Sequence, residues 1–159
     1  MKAAIAIISG RPNSGKTACL LAVIARARRL GLTCGGLVSH GLWNDGRKTG
    51  YMLEAVATGE RRLLAEGHPD QEHTLFYGRF YFSQDIFAWG NTILGEAAGS
   101  GVVVVDECGP LEMNGSGLWP GMEYLILHHT GPLLISVRPS LQADLRRKIQ
   151  SMHHRERHA

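Results

Sequence analysis

An unbroken apolar run, Ala3-Ala4-Ile5-Ala6-Ile7-Ile8, leads through Ser9 into Gly10-Arg11-Pro12-Asn13-Ser14-Gly15-Lys16-Thr17, and a stretch rich in Ala, Leu and Arg then continues to Leu30. The first run does not alternate, the pattern of a strand buried on both faces. The last stretch has the composition of a helix and is closed by Gly31. The segment between them fits G-x-x-x-x-G-K-[ST] in the context that gives the pattern meaning, after a strand and opening a helix. Glycines let the backbone wrap around anionic oxygens with its N–H groups turned inward, and the helix N-terminus adds positive potential. Lys16 is placed to reach the β- and γ-phosphates of a nucleoside triphosphate, and Thr17 to set its hydroxyl on Mg²⁺. The candidate phosphate-binding residues are therefore Gly10, Arg11, Pro12, Asn13, Ser14, Gly15, Lys16, Thr17 and the adjoining Ala18. Arg11 occupies a variable position that either meets phosphate or points to solvent.

Such a loop needs an acidic residue at the end of a neighbouring buried strand to hold the metal or its water shell. Val102-Val103-Val104-Val105 followed by Asp106-Glu107 supplies it. Asp106 is the candidate metal ligand with Thr17, and Glu107 the candidate that orients an attacking water. Arg138 follows a further apolar strand, Leu133 to Val137. Ligands of open α/β sheets lie outside the carboxyl ends of the strands. Arg138 is thus either a cation facing the transferring phosphoryl group or a solvated residue before Pro139. Glu112 belongs to the same site or is a surface acid. Trp43, Tyr51 and Trp119 are candidates to stack a base, with packing as the plainer role.

The rest of the chain reads as one α/β domain over residues 1–150. Residues 36–43 and 48–53 flank Asn44-Asp45-Gly46, a hairpin signal, and Arg61 to Ala65 offers a third strand. Residues 67–75 read as a surface loop, 76–82 as an aromatic core cluster, and 84–98, 122–129 and 140–149 as helices. This order predicts a three-layer α/β sheet with an antiparallel hairpin unit inserted after the first helix. Residues 151–159, rich in His and Arg, are expected to form a disordered basic tail. His128-His129 ends a helix, where imidazolium suits the dipole.

Charge narrows the partners. From Arg138 onward six Lys/Arg stand against two Asp/Glu, a surplus of four, while the remainder has eleven against twelve, a deficit of one. A near-neutral body with a basic end is not a specific nucleic-acid binder, and a protein partner is not identified by the sequence. No apolar run approaches a membrane span, and three cysteines without metal-ligand spacing favour a reducing, cytoplasmic setting.

With these motifs placed, the chain from about residue 3 to 150 resembles the small nucleoside-triphosphatase family, the thermophilic and cancer-related nucleoside triphosphatases. The likeness includes Gly35-Gly36-Leu37-Val38, the hairpin with Arg47 and Gly50, Thr58-Gly59-Glu60 and Leu64-Ala65. Its most specific part is Val105-Asp106-Glu107-Cys108-Gly109-Pro110-Leu111-Glu112, which looks like that family's Asp-Glu-x-Gly-x-x-Glu segment. Ser136-Val137-Arg138 stands where family members carry a Thr-Val-His-like segment, so an arginine replaces the expected histidine. Ala18 replaces a frequent second hydroxyl, and no edge strand follows the final helix. The resemblance implies a RecA-like P-loop core and slow, Mg²⁺-dependent hydrolysis of ATP, GTP and other triphosphates with loose base preference. The competing readings are a small kinase, for which no arginine-rich lid is visible, and a nucleotide-dependent switch or chaperone. For the switch, an Asn-Lys-x-Asp guanine-reading motif is missing.

Overall fold

The computed structural model describes residues 2–159. Its eight strands are β1 (Ala4–Ser9), β2 (Cys34–Asn44), β3 (Arg47–Ala55), β4 (Arg61–Glu66), β5 (His73–Tyr77), β6 (Phe80–Ser83), β7 (Val102–Cys108) and β8 (Pro132–Val137). The helices are α1 (Lys16–Arg29), α2 (Gln84–Ala97), α3 (Pro110–Met113), α4 (Trp119–His128) and α5 (Pro139–Arg157). All eight strands form one sheet in the order β1-β8-β7-β2-β3-β4-β6-β5. The β1, β8, β7 and β2 pairs are parallel, and the extension from β3 onward is antiparallel. The expected hairpin unit is therefore a continuation of the main sheet, widened by β5 and β6.

Two apolar layers sit on opposite faces, as alternation along the strands requires. Val103, Val105, Leu133 and Ile135 pack with Phe87 and Leu94 of α2, Met122 and Leu125 of α4, and Leu145 and Ile149 of α5. Val102, Val104, Cys34 and Val38 pack with Leu20, Ile24 and Ala27 of α1. The result is the expected helix–sheet–helix sandwich. Each fully buried Leu or Ile in it contributes about 1.5–3 kcal/mol of hydrophobic stabilisation. Gly36 is required where β2 meets β7, because its φ is +105° and a Cβ there would lie 1.9 Å from the Val104 carbonyl oxygen.

Several expectations need correction. β1 is an edge strand, so Ala4 and Ala6 are exposed and Ile5, Ile7 and Ile8 only half-buried, not enclosed on both faces. The loop expected over 67–75 ends early, because β5 begins at His73, whose buried imidazole bonds Asp70 and the Leu63 carbonyl. In the aromatic stretch Phe80 is buried, but Phe76 and Tyr77 are exposed on the outermost strand. α5 continues through Arg157 instead of yielding to a tail at residue 151, and Met152 closes the Leu145–Ile149 stripe against the core. His129 is buried: its Nδ1 accepts the Gly99 N–H and its Nε2 contacts the Pro132 carbonyl, so it ties two loops together rather than facing a helix dipole.

Candidate functional site

The carboxyl ends of three adjacent parallel strands converge on one edge of the sheet. β1 delivers the Gly10–Thr17 loop, β7 delivers Asp106 and Glu107, and β8 lies between them and ends at Arg138. Gly15 caps α1 with φ +93°, a conformation that disfavours any residue with a Cβ. The Lys16 ammonium bridges the loop, donating to the carbonyls of Gly10 at 2.5 Å and Arg11 at 3.0 Å.

Asp106 is buried and held by three donors. The Thr17 hydroxyl donates to its Oδ2 at 2.7 Å, the Ser39 N–H to the same oxygen at 3.2 Å, and the Ser136 hydroxyl to Oδ1 at 2.5 Å. Ser136 also accepts the N–H of Glu107 at 2.7 Å, so one hydroxyl fixes both acids. β7 bulges at this point: Val105 pairs with Ile135 and Cys108 with Val137, three steps on β7 against two on β8. Glu107 takes up the extra residue at φ +59° and turns out of the sheet into a cavity. Left-handed backbone costs a non-glycine residue roughly 1–2 kcal/mol, a strain stored beside the loop. Glu107 is solvent-exposed, yet desolvation by the cavity walls raises its carboxyl pKa, Asp106 adds to the rise, and Lys48, Lys16 and Arg138 oppose it.

Two cavities meet at Glu107. The smaller, of about 320 Å³, is bounded by Gly15, Lys16 and Thr17 with His40 and Lys48. The larger, of about 630 Å³, reaches from Pro12, Asn13 and Arg138 to the aromatic residues of β3 and β6. Arg138 is therefore brought to the site, exposed on its rim. Arg11 and Ser14 are exposed, and Ala18 lies exposed in the first turn of α1. Trp43 and Tyr51 line the larger cavity, but Trp119 is buried in the core against Lys148 and is not available to a base. Glu112 is neither a ligand group nor a surface acid. It is buried, with Oε1 accepting Gly109 N–H at 2.8 Å and Oε2 accepting Leu118 N–H at 3.0 Å, and burial raises its pKa.

Sequence reasoning missed Ser39, Ser136 and Lys48 as site residues. A lone hydroxyl within the apolar Leu133–Val137 run was the readable sign of Ser136. Nothing local marks Lys48, which reaches the site through the β2–β3 pairing.

Nucleoside-triphosphatase THEP1 of Caldivirga maquilingensis is 29% identical over 106 residues, covering 67% of this chain and 59% of the relative. THEP1 of Thermofilum pendens is 27% identical over 118 residues, covering 73% and 64%. The chain thus spans less than two thirds of the length of these relatives. In fold it is similar to the solution structure of a human cancer-related nucleoside triphosphatase, with TM-score 0.69 and 17% identity over 89% of this chain and 82% of that one. The crystal structure of THEP1 from the hyperthermophile Aquifex aeolicus gives TM-score 0.66 at 17% identity, over 93% and 84%. The likeness read from residues 105–112 is borne out across residues 5–158, which match the profile of the NTPase family, and the chain belongs to that family.

Proposed function

We propose that the protein hydrolyses nucleoside triphosphates, ATP and GTP among them, to diphosphate and phosphate with Mg²⁺. The observation that carries this reading is the 2.7 Å contact between Thr17 Oγ1 and Asp106 Oδ2, with Glu107 next in the chain facing the cavity. A hydroxyl and a carboxylate are hard oxygen donors and suit Mg²⁺, so Thr17 and Asp106 would hold it. When bound, the ion neutralises charge on the β- and γ-phosphates. Gly10 N–H is bonded to the Val137 carbonyl, Ser14 N–H to the Arg11 carbonyl, and Pro12 has none, so the N–H groups of Asn13 and of Gly15 to Ala18 are left to meet the phosphate chain, and Lys16 exchanges the loop carbonyls for phosphate oxygens.

Glu107 then accepts a hydrogen bond from a water in the adjoining cavity and takes its proton as the water oxygen bonds to the γ-phosphorus. The bond from that phosphorus to the bridging oxygen breaks, leaving diphosphate. Arg138, on the rim of the same cavity, supplies positive charge to the transferring group. The names of the THEP1 relatives support this assignment. Among the described residues no helix is long and apolar enough to cross a membrane, and all three cysteines are free, which fits a cytoplasmic setting.

Phosphate release from ATP, GTP, CTP and UTP with Mg²⁺ tests the reading in wild type, Lys16→Ala and Glu107→Gln. Loss of at least 100-fold of the rate in both variants is expected. Glu107→Gln turning over at the wild-type rate refutes the water-positioning role. Wild type releasing no phosphate from any of the four refutes hydrolysis.

A further inference from the structure

Hydrolysis needs room beside Glu107 for one water, about 30 Å³. The larger cavity is about 630 Å³, on the order of twenty times that space. Apart from Pro12 and Asn13 at one end, it is also built of different material from the phosphate loop. Gly15, Lys16 and Thr17 border only the smaller cavity, whereas Tyr51, Phe80, Phe82 and Phe87 wall the larger. These rings pack on one another, with Phe80 and Phe87 buried and Tyr51 and Phe82 half-buried. Phe82 stacks on Phe87 with centroids 5.6 Å apart and planes 12° from parallel, Tyr51 lies 6.5 Å from Phe82 at 21°, and Phe80 meets Tyr51 edge-on at 5.4 Å.

Around these rings stand Arg47, Lys48 and Arg79, and among the described residues none of them is ion-paired with a carboxylate. Lys48 instead lies over the Trp43 and Tyr51 rings, and Arg79 over Phe80. Of the acids lining the cavity, Asp106 and Glu112 are occupied by their own hydrogen bonds, which leaves Glu107 alone facing the space. An aromatic wall with uncompensated cations around it is complementary to a flat ring carrying an anionic group.

We propose that this cavity is a second ligand site, distinct from the phosphate loop, which takes a nucleoside monophosphate. Its base lies against Tyr51 and Phe82 and its phosphate among Arg47, Lys48 and Arg79. The inference rests on the reading that the γ-phosphate of the substrate lies between Lys16 and Glu107. With that end fixed, the α-phosphate and nucleoside of the substrate run off along the start of α1 and leave the aromatic cavity to another molecule. A monophosphate seated there stands where the attacking water must enter, and so lowers kcat without competing for the triphosphate.

The test is titration of wild type, Lys16→Ala, Arg79→Glu and Arg47→Glu with AMP, GMP, CMP and UMP by calorimetry, with the matching nucleoside and inorganic phosphate as part-ligands. Arg79 and Arg47 are exposed, and urea melts check that both variants fold. At least one monophosphate is expected to bind wild type and Lys16→Ala alike, at least tenfold more weakly to Arg79→Glu and Arg47→Glu, and each part-ligand at least tenfold more weakly than the whole. In phosphate-release assays the monophosphate is expected to lower kcat at unchanged KM, and both charge-reversal variants to keep basal turnover. Binding that disappears in Lys16→Ala and persists in Arg79→Glu, or a monophosphate that raises KM alone, places the ligand on the phosphate loop and overturns the proposal. So does absence of binding by all four monophosphates at millimolar concentration. The calorimetry is independent of turnover: a protein that binds a monophosphate but releases no phosphate defeats the hydrolase reading, and one that releases phosphate but binds no monophosphate defeats only the second site.

Discussion

Ser136→Ala isolates the joint between the two acids of the site. The Ser136 hydroxyl is fully buried, donates to Asp106 Oδ1 at 2.5 Å and accepts from Glu107 N at 2.7 Å. Its removal deletes one hydrogen bond to a charged group, about 1.5–3 kcal/mol, and one neutral bond, about 1 kcal/mol. A methyl group cannot replace either, so the expected loss of stability is about 2.5–4 kcal/mol. For a chain of this length each kcal/mol moves Tm by about 2–4 °C, which gives a fall of roughly 5–16 °C. Asp106 keeps Thr17 and Ser39 as donors, but the Glu107 N–H is released from the bulge that aims its carboxylate. Misplacing a catalytic group by about 1 Å costs on the order of 100-fold, so kcat for phosphate release is expected to fall by about 10- to 100-fold. Urea melts and phosphate-release kinetics measure the two effects. Ser83→Ala is the control, because Ser83 is equally buried but caps α2 by accepting the Ile86 N–H, away from the site. It is expected to cost about 1 kcal/mol with kcat unchanged. A Ser136→Ala protein within 1 kcal/mol of wild type and within twofold in kcat refutes the relay.

The raised carboxyl pKa of Glu107 in the free protein predicts that kcat/KM falls as pH drops through a value above the ordinary glutamate range, and that this acid limb vanishes in Glu107→Gln. The sign for stability runs the other way: the folded state holds the proton more tightly than the unfolded state, so the ionised group opposes folding above the ordinary pKa. Glu107→Gln is therefore expected to be at least as stable as wild type in urea at pH 7, with the advantage lost below about pH 4. Met152→Ala checks the end of α5, where Met152 is buried against the core; about 2–4 kcal/mol should be lost in denaturant, whereas a disordered segment would lose almost nothing.

What was legible in the sequence was local. The phosphate loop needs glycines, a lysine and a hydroxyl at fixed offsets, and the strand before Asp106 is an uninterrupted valine run, so both could be placed without knowing the fold. Ser39, Ser136 and Lys48 reach the site through strand pairing, which a linear pattern does not encode. The exposure of β1 was hidden for a similar reason: an apolar run marks a strand that neighbours cover, but its sequence does not say whether both edges are paired. The length of α5 was readable. Leu145, Ile149 and Met152 follow the i, i+4, i+7 stripe of a helix, and the weight given to the flanking His and Arg residues obscured it.

Asp106, Glu107 and Glu112 show why residue type alone could not divide the labour at the site. All three are acids within seven residues. Asp106 is buried at the end of a central strand where two hydroxyls and one N–H converge, so its oxygens are fixed in the direction of Thr17. Glu107 falls on the bulge, and the same Ser136 that anchors Asp106 holds the Glu107 backbone while the side chain turns into the cavity. Glu112, within α3, folds back on that helix's own start, where its oxygens accept the N–H groups of Gly109 and Leu118. Glu112, with an oxygen on each of two backbone donors, shapes the loop that follows β7, while Glu107, held through its backbone, keeps its carboxylate for the cavity. The extra residue in β7 makes this difference. It lets two consecutive acids, which on a regular strand would face opposite sides of the sheet, line the same cavity.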